Sequence, residues 1–229
     1  MIDLDRDGDV WILRMTAGEN RFTQDWLDAV CAALDQVEAG PGPAALVTTG
    51  QGKFYTNGLD LDWLAARGDA AARFLADLTR LLGRLIMFPV PTVAAVNGHA
   101  FGAGAVLAVA HDFLVMREDR GYWCLPEADL GLPLTPALFA VVSAKLPTRG
   151  GQEAILTGRR YGGADAVAAG IVHQAVPEDQ VLTRAVAVAA PLAGQDRRTL
   201  AAHKRLLFGA AAQACGVTGQ PVGSRLTDW

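Results

Sequence analysis

The stretch from Pro91 to Gly104 constrains the fold of this chain more than any other. It begins with Thr92-Val93-Ala94-Ala95-Val96, an uncharged and largely β-branched run that reads as a strand. A Gly-rich turn from Asn97 to Gly104 follows and opens a helix that runs to His111. A strand passing through glycines directly into a helix is a building block of α/β folds. The rest of the chain repeats the alternation. Met1 to Met15 reads as a hairpin, with Asp7-Gly8 at its turn. Thr23 can cap a helix through Glu38, with Trp26, Leu27, Val30, Leu34 and Val37 on one face. Ala44 to Thr48 reads as a buried strand, Leu61 to Arg67 and Asp69 to Met87 as helices. Phe113 to Met116 and Tyr122 to Leu125 read as short strands, and from Pro136 the pattern is helical apart from Ile171 to Val176. The expected fold class is therefore α/β, a single domain over residues 1–229.

Composition removes several function classes. The 229 residues are 51% hydrophobic and carry a net charge of −4, so no basic footprint for nucleic acid is expected. The longest apolar stretch, Leu85 to Val96, is broken by Pro89 and Pro91 and is too short to span a bilayer. Cys31, Cys124 and Cys215 form no CxxC pair or zinc spacing, which fits a reducing cytoplasm. The N-terminus lacks the basic, then apolar order of a signal peptide, and Thr227-Asp228-Trp229 is not a peroxisomal address. A cytoplasmic, non-membrane protein is the expectation. The Ala-rich composition points to a GC-rich bacterial source.

Familiar motifs fail at particular residues. Asp3-x-Asp5-x-Asp7-Gly8 begins like a calcium loop, but Arg14 stands where a bidentate Glu is required. Gly102-x-Gly104 would need its third dinucleotide-binding glycine at Leu107. Ser143 and Ser224 are the only serines, and neither sits in a nucleophile elbow. His99, His111, His173 and His203 form no ligand pair, so no metal site is expected.

Three segments carry chemistry instead. Phe54-Tyr55-Thr56-Asn57-Gly58-Leu59-Asp60-Leu61 is a turn feeding a helix, and Pro91 to Gly104 is a strand running into one. Unpaired N–H groups at two such helix starts, if they converged, would hold an anion or a developing oxyanion. In the third segment, Leu125-Pro126-Glu127-Ala128-Asp129-Leu130-Gly131-Leu132-Pro133, Glu127 follows a strand in apolar company. Such surroundings raise a carboxylate's pKa toward the range of a general base. Taken singly, each turn also fits a plain strand-to-helix connection, and Glu127 fits a turn cap or a surface carboxylate.

Together the segments resemble the crotonase family of enoyl-CoA hydratases and isomerases, over about Met15 to Arg205. Leu156-Thr157-Gly158-Arg159, Ala164 to Ile171 and Val176-Pro177-Glu178 resemble further signposts of that family. The resemblance implies a spiral of repeated ββα units over 1–175, a helical C-terminal region over 176–215 and a tail over 216–229. It implies an oxyanion hole at the N–H groups of Leu59 and Ala103, with Gly58 and Gly102 permitting the turns. Asn57, Gly58, Asp60 and Leu61 would line the path of pantetheine and acyl chain, and Arg21 and Phe22 would lie on the nucleotide side of coenzyme A. No tightly bound cofactor is implied, only a substrate carried as a coenzyme A thioester. A homotrimer or hexamer is implied too, although the short C-terminal section leaves less helix to build one.

One departure sets the subclass. Hydratases of the family carry two glutamates, the first two residues after the second glycine of the hole. Here that position is Val106, and only the second acid, Glu127, remains. Adding water needs two groups; a 1,3-proton shift needs one. The expectation is thus a 3-enoyl-CoA to 2-enoyl-CoA isomerase with Glu127 as its proton shuttle. The alternatives are a hydratase or other acyl-CoA enzyme using His99 or Asp60, and a non-catalytic CoA-thioester-binding subunit.

Overall fold

A computed structural model describes residues 1–217, so the expected tail lies outside the described residues apart from Gly216 and Val217. The chain opens with a hairpin of β1 (Ile2–Asp7) and β2 (Val10–Met15), followed by α1 (Gln24–Ala39). The Thr23 hydroxyl caps α1 by accepting the Trp26 N–H at 3.3 Å. Then come β3 (Ala45–Gly50), β4 (Phe54–Thr56), α2 (Leu61–Ala65) and α3 (Asp69–Ile86). Next are β5 (Thr92–Val96), β6 (His99–Phe101), α4 (Ala103–Val109), β7 (Phe113–Arg117), β8 (Trp123–Cys124) and α5 (Glu127–Leu130). The remainder is α6 (Pro136–Lys145), α7 (Thr148–Thr157), α8 (Gly163–Ala168), β9 (Gln174–Val176), α9 (Val181–Ala189) and α10 (Arg197–Ala214).

Two sheets result. The larger has six strands in the order β1-β2-β3-β5-β7-β9, parallel except for the β1–β2 hairpin. The smaller has three parallel strands in the order β4-β6-β8. Consecutive strand pairs β3/β4, β5/β6 and β7/β8 each give their first member to the large sheet and their second to the small one. With the helices that follow, these pairs are the turns of the expected ββα spiral. The spiral has one consequence for function: β4, β6 and β8 run in the same direction and end side by side.

Two expectations need correction. The Gly-rich turn read over Asn97 to Gly104 contains β6, a full member of the small sheet. Three residues between Gly98 and Gly102 are too few to display an alternating pattern, so only pairing with its neighbours reveals the strand. The strand read over Ile171 to Val176 is confined to β9, because Ile171 and Val172 donate their N–H groups back to Ala166 in α8. The boundary expected between 175 and 176 therefore cuts β9, where Val176 pairs with Arg117.

Both faces of strands β2, β3, β5 and β7 are covered, which explains their largely apolar sequences, whereas the edge strand β1 is charged and half exposed. Leu13, Leu46, Ala94 and Leu114 join the main core with α1, α3, α4 and α6. Val47, Val93, Ala95 and Val115 face a smaller core closed by Val181, Ala185 and Ala189 of α9. No helix among the described residues is long and apolar enough to cross a membrane.

Helix α10 is tied to the sheet by a buried cation. Lys204 is 2% exposed, and its Nζ donates to Phe88 O (2.8 Å), Val90 O (3.1 Å) and Asp112 Oδ2 (2.6 Å). Asp112 Oδ2 also accepts the Thr92 N–H at 2.8 Å, so the strap ends at β5. Removing one partner of a buried pair typically costs about 3–5 kcal/mol. Lys204→Ala is expected to lose stability on that scale in denaturant unfolding, and a loss below about 1 kcal/mol would deny the strap its role.

Candidate active site

The parallel small sheet brings together the three groups singled out in the sequence. Gly58 and Leu59 follow β4, Gly102 and Ala103 follow the central β6, and Glu127 follows β8. Gly58 has φ +73°, and a Cβ there would lie 2.6 Å from Phe101 O and 3.2 Å from Ala103 N. The turn after β4 thus packs directly on the first turn of α4, an approach only glycine permits. Gly102, at φ +54°, plays the matching part on the other side: its Cβ position lies 3.4 Å from Glu127 Oε1. Leu59, Ala103 and Glu127 therefore lie along one edge, with the Ala103 turn in the middle.

The main chain here is selective about which amides it satisfies. The Asn57 N–H donates to Glu19 O (2.9 Å), the Gly58 N–H to Thr56 Oγ1 (3.0 Å) and the Asp60 N–H to Phe22 O (3.4 Å). The Leu59 N–H between them has no acceptor among the described residues. In the second turn Gly102 donates to Cys124 O (3.0 Å), while Ala105 and Val106 donate to Gly102 O (2.9 and 3.1 Å). The Ala103 N–H, first in α4, is likewise without an acceptor among the described residues. Free amides beside each other suit an oxygen that gains negative charge.

Glu127 completes the arrangement. It is half-buried, and its Oε2 is shielded from solvent with no hydrogen-bond partner among the described residues. Burial pushes its pKa above the ordinary carboxylate value, partly offset by its own main-chain N–H. Asp129 turns the other way, against Gly158 at the end of α7, where a Cβ would lie 2.8 Å from Asp129 Oδ2. Val106 is fully buried inside α4.

The remaining expected site residues take more varied places. Arg21 Nε and Asn57 Nδ2 both donate to Glu19 Oε2, at 2.7 and 2.9 Å, and hold that carboxylate below the usual range. Phe22 is fully buried and stacked on Trp26 at 4.0 Å, so it reaches the site through its main chain. Asp60 caps α2 by accepting the Trp63 N–H at 3.0 Å, and Leu61 is exposed at the start of that helix. Glu19, Arg21, Trp26 and Asp60 line an open cleft of about 570 Å³. His99 lies among Phe54, Phe101 and Tyr122, where burial lowers its pKa. Two residues that received no role from the sequence, Asn20 and Thr56, are buried directly behind the Gly58 turn.

The ββα spiral is the crotonase fold. The family model described as enoyl-CoA hydratase/isomerase matches residues 10–216. An Arabidopsis thaliana protein named enoyl-CoA delta isomerase 3 is 37% identical, covering 76% of each chain. The peroxisomal enoyl-CoA delta isomerase 2 of the same plant is 34% identical over 96% of this chain and 95% of its own. Among solved structures, a probable enoyl-CoA hydratase of Mycobacterium tuberculosis H37Rv superposes with TM-score 0.88 at 26% identity, covering 94% of this chain and 91% of that one. The chain belongs to the enoyl-CoA hydratase/isomerase family.

The raised pKa of Glu127 has a consequence for stability. A carboxyl group that binds its proton more tightly when folded favours folding at low pH and disfavours it once ionised. Glu127→Gln is therefore expected to raise the melting temperature at pH 7, with the advantage narrowing as pH falls through the folded-state pKa. A variant equal to or less stable than wild type at pH 7 would contradict this.

Proposed function

We propose that the protein is an enoyl-CoA isomerase, converting a 3-enoyl-CoA to the conjugated 2-enoyl-CoA. The thioester acidifies C2, and the ionised Glu127 takes a proton from that carbon. Electrons flow into the carbonyl, whose oxygen becomes negative and accepts from the Leu59 and Ala103 N–H groups. The now neutral Glu127 returns the proton to C4 of the dienolate, leaving the double bond between C2 and C3. Atoms and charge balance without a metal or a redox cofactor, because the thioester itself supplies the acidity.

One observation carries this reading: a single partly desolvated carboxylate, its buried Oε2 without a hydrogen-bond partner among the described residues, stands beside the two free amides, with Val106 in place of a second acid. Hydration requires a water held by two groups. An apolar neighbour at that position removes one of them and leaves a carboxylate suited to carrying a proton over a short distance. The named isomerase relatives support the same assignment. The adenine end of coenzyme A would lie toward Arg21 and Phe22, and the acyl thioester would pass Asn57 to Leu61. Arg21 would then have to exchange its Glu19 partner for a phosphate. Oligomerisation as a trimer and a reducing compartment such as the cytosol complete the proposal. The latter fits three cysteines that are all free.

The test is a comparison of 3-enoyl-CoA isomerisation and 2-enoyl-CoA hydration, both followed by the ultraviolet absorbance of the conjugated thioester. Isomerisation should dominate, and Glu127→Gln should lower it about 10²–10⁴-fold, the usual worth of a positioned acid–base group. Wild-type turnover by that variant, or faster hydration than isomerisation, would overturn the reading. Because the working form is the ionised carboxylate, kcat/KM should rise with pH. The midpoint should lie above the ordinary value of 4.5, and the Gln variant should lose that limb.

A further inference from the structure

We propose that Thr56 and Asn20 are positioning residues that aim the Leu59 N–H into the oxyanion hole, an inference that rests on the hole proposed above. The Thr56 hydroxyl is fully buried, donates to Asn20 O at 2.7 Å and accepts from the Gly58 N–H at 3.0 Å. A carbonyl cannot donate, so the single hydroxyl proton is committed to Asn20 and the lone pair is left for Gly58. The direction of the relay is thereby fixed.

Asn20 supplies the other end. It is 1% exposed and, at φ +52°, is the sole non-glycine residue with positive φ among the described residues. Asparagine tolerates that conformation better than most side chains. Its amide holds it there, since Nδ2 donates to Tyr55 O at 3.0 Å and Oδ1 accepts the Ala17 N–H at 2.8 Å.

The result is a template loop laid along the turn. Glu19 O takes the Asn57 N–H, Thr56 takes the Gly58 N–H on behalf of Asn20, and the Phe22 N–H and C=O take Gly58 O (2.7 Å) and the Asp60 N–H. In a trans peptide the N–H points opposite to the C=O. With Gly58 O held by Phe22, the Leu59 N–H of the same peptide must face away from the loop. Gly58 is the flexible joint of this device, and the Thr56 hydroxyl removes its freedom on the N-terminal side. Without that hydroxyl the Gly58 N–H is an unpaired buried donor, and the turn can rotate to satisfy it at the expense of the Leu59 direction.

The test uses the full chain and a 2-enoyl-CoA labelled with ¹³C at the thioester carbonyl, whose bound C=O stretch is read by isotope-edited infrared difference spectroscopy. Wild type should show a downshift from two donors. Thr56→Ser should keep it. Thr56→Val should lose a clear part of it, with kcat down about 10–100-fold, short of the ~10²–10³ lost when a donor is deleted. KM should change by less than about threefold, since uniform binding is untouched. Asn20→Gly, which accepts the same φ but drops all three side-chain bonds, should show a partial loss and decides the matter if Thr56→Val does not fold. A full downshift and full kcat in Thr56→Val, or in Asn20→Gly when the former is unfolded, would overturn the inference alone. Absence of any downshift in wild type would overturn the oxyanion reading itself, and this inference with it.

Discussion

The close approach of the Gly58 turn to the first turn of α4 is the constraint on which the rest of this structure depends. Two backbone segments from different turns of the spiral approach so closely there that a Cβ on Gly58 would run into Phe101 O, Gly104 N and Ala103 N. No side chain could mediate such a contact. It requires β4 and β6 to be neighbours in one parallel sheet, and hence the alternation of strands between the two sheets. It also requires glycine at 58, since any Cβ would meet Phe101 O at 2.6 Å. The third strand, β8, then delivers Glu127 to the far side of the same turn.

Several other buried polar groups serve structure and are closely paired. His111 is fully buried, with its pKa pushed down to about 4 by desolvation, and engages Thr48 Oγ1 at 2.9 Å and Leu107 O at 2.9 Å. Thr48 Oγ1 also meets the Tyr55 hydroxyl at 2.7 Å, which links β3 to β4 behind the site. Asn97 accepts the Gly50 N–H at 2.8 Å and donates to Gly52 O at 3.1 Å, joining the start of the small sheet to the large one. The Leu59 and Ala103 amides and the buried Oε2 of Glu127, by contrast, have no partner among the described residues and lie along one edge. Unsatisfied groups cost stability, and three of them along one edge fit the proposed site for charge that develops during a reaction.

Much of this was legible in the sequence, for reasons that can be stated. Glycines at 58 and 102 before short helices, and an acid just past a strand, are local signals, and each lay where it was expected. β6 was hidden because a three-residue strand carries no periodicity; its evidence is its two neighbours, which are distant in sequence. Asn20 and Thr56 were hidden differently. Asn20 is one polar residue in Gly18-Glu19-Asn20-Arg21-Phe22, and nothing local says that its backbone is left-handed or that its side chain reaches Tyr55. Thr56 was inside a motif already quoted, but a hydroxyl beside a glycine turn acquires meaning only once its acceptor, 36 residues away, is in place. The Lys204 strap is similar, with its partners Phe88, Val90 and Asp112 about a hundred residues earlier. Charged residues on a helix normally read as solvated, and only packing shows that this one is not.

The central claim is that one half-buried carboxylate carries a proton from C2 to C4 of the same substrate. Position-specific isotope transfer tests it most directly. A 3-enoyl-CoA deuterated at C2 is turned over in ordinary water, and the product is analysed for deuterium at C4. An enclosed single-carboxylate shuttle should deliver a substantial fraction of the label to C4, because the proton on Glu127 is sheltered from exchange while the dienolate lives. Product with no deuterium at C4 at the earliest measurable turnover would show that the proton leaves to solvent or to a second group, and would contradict the account.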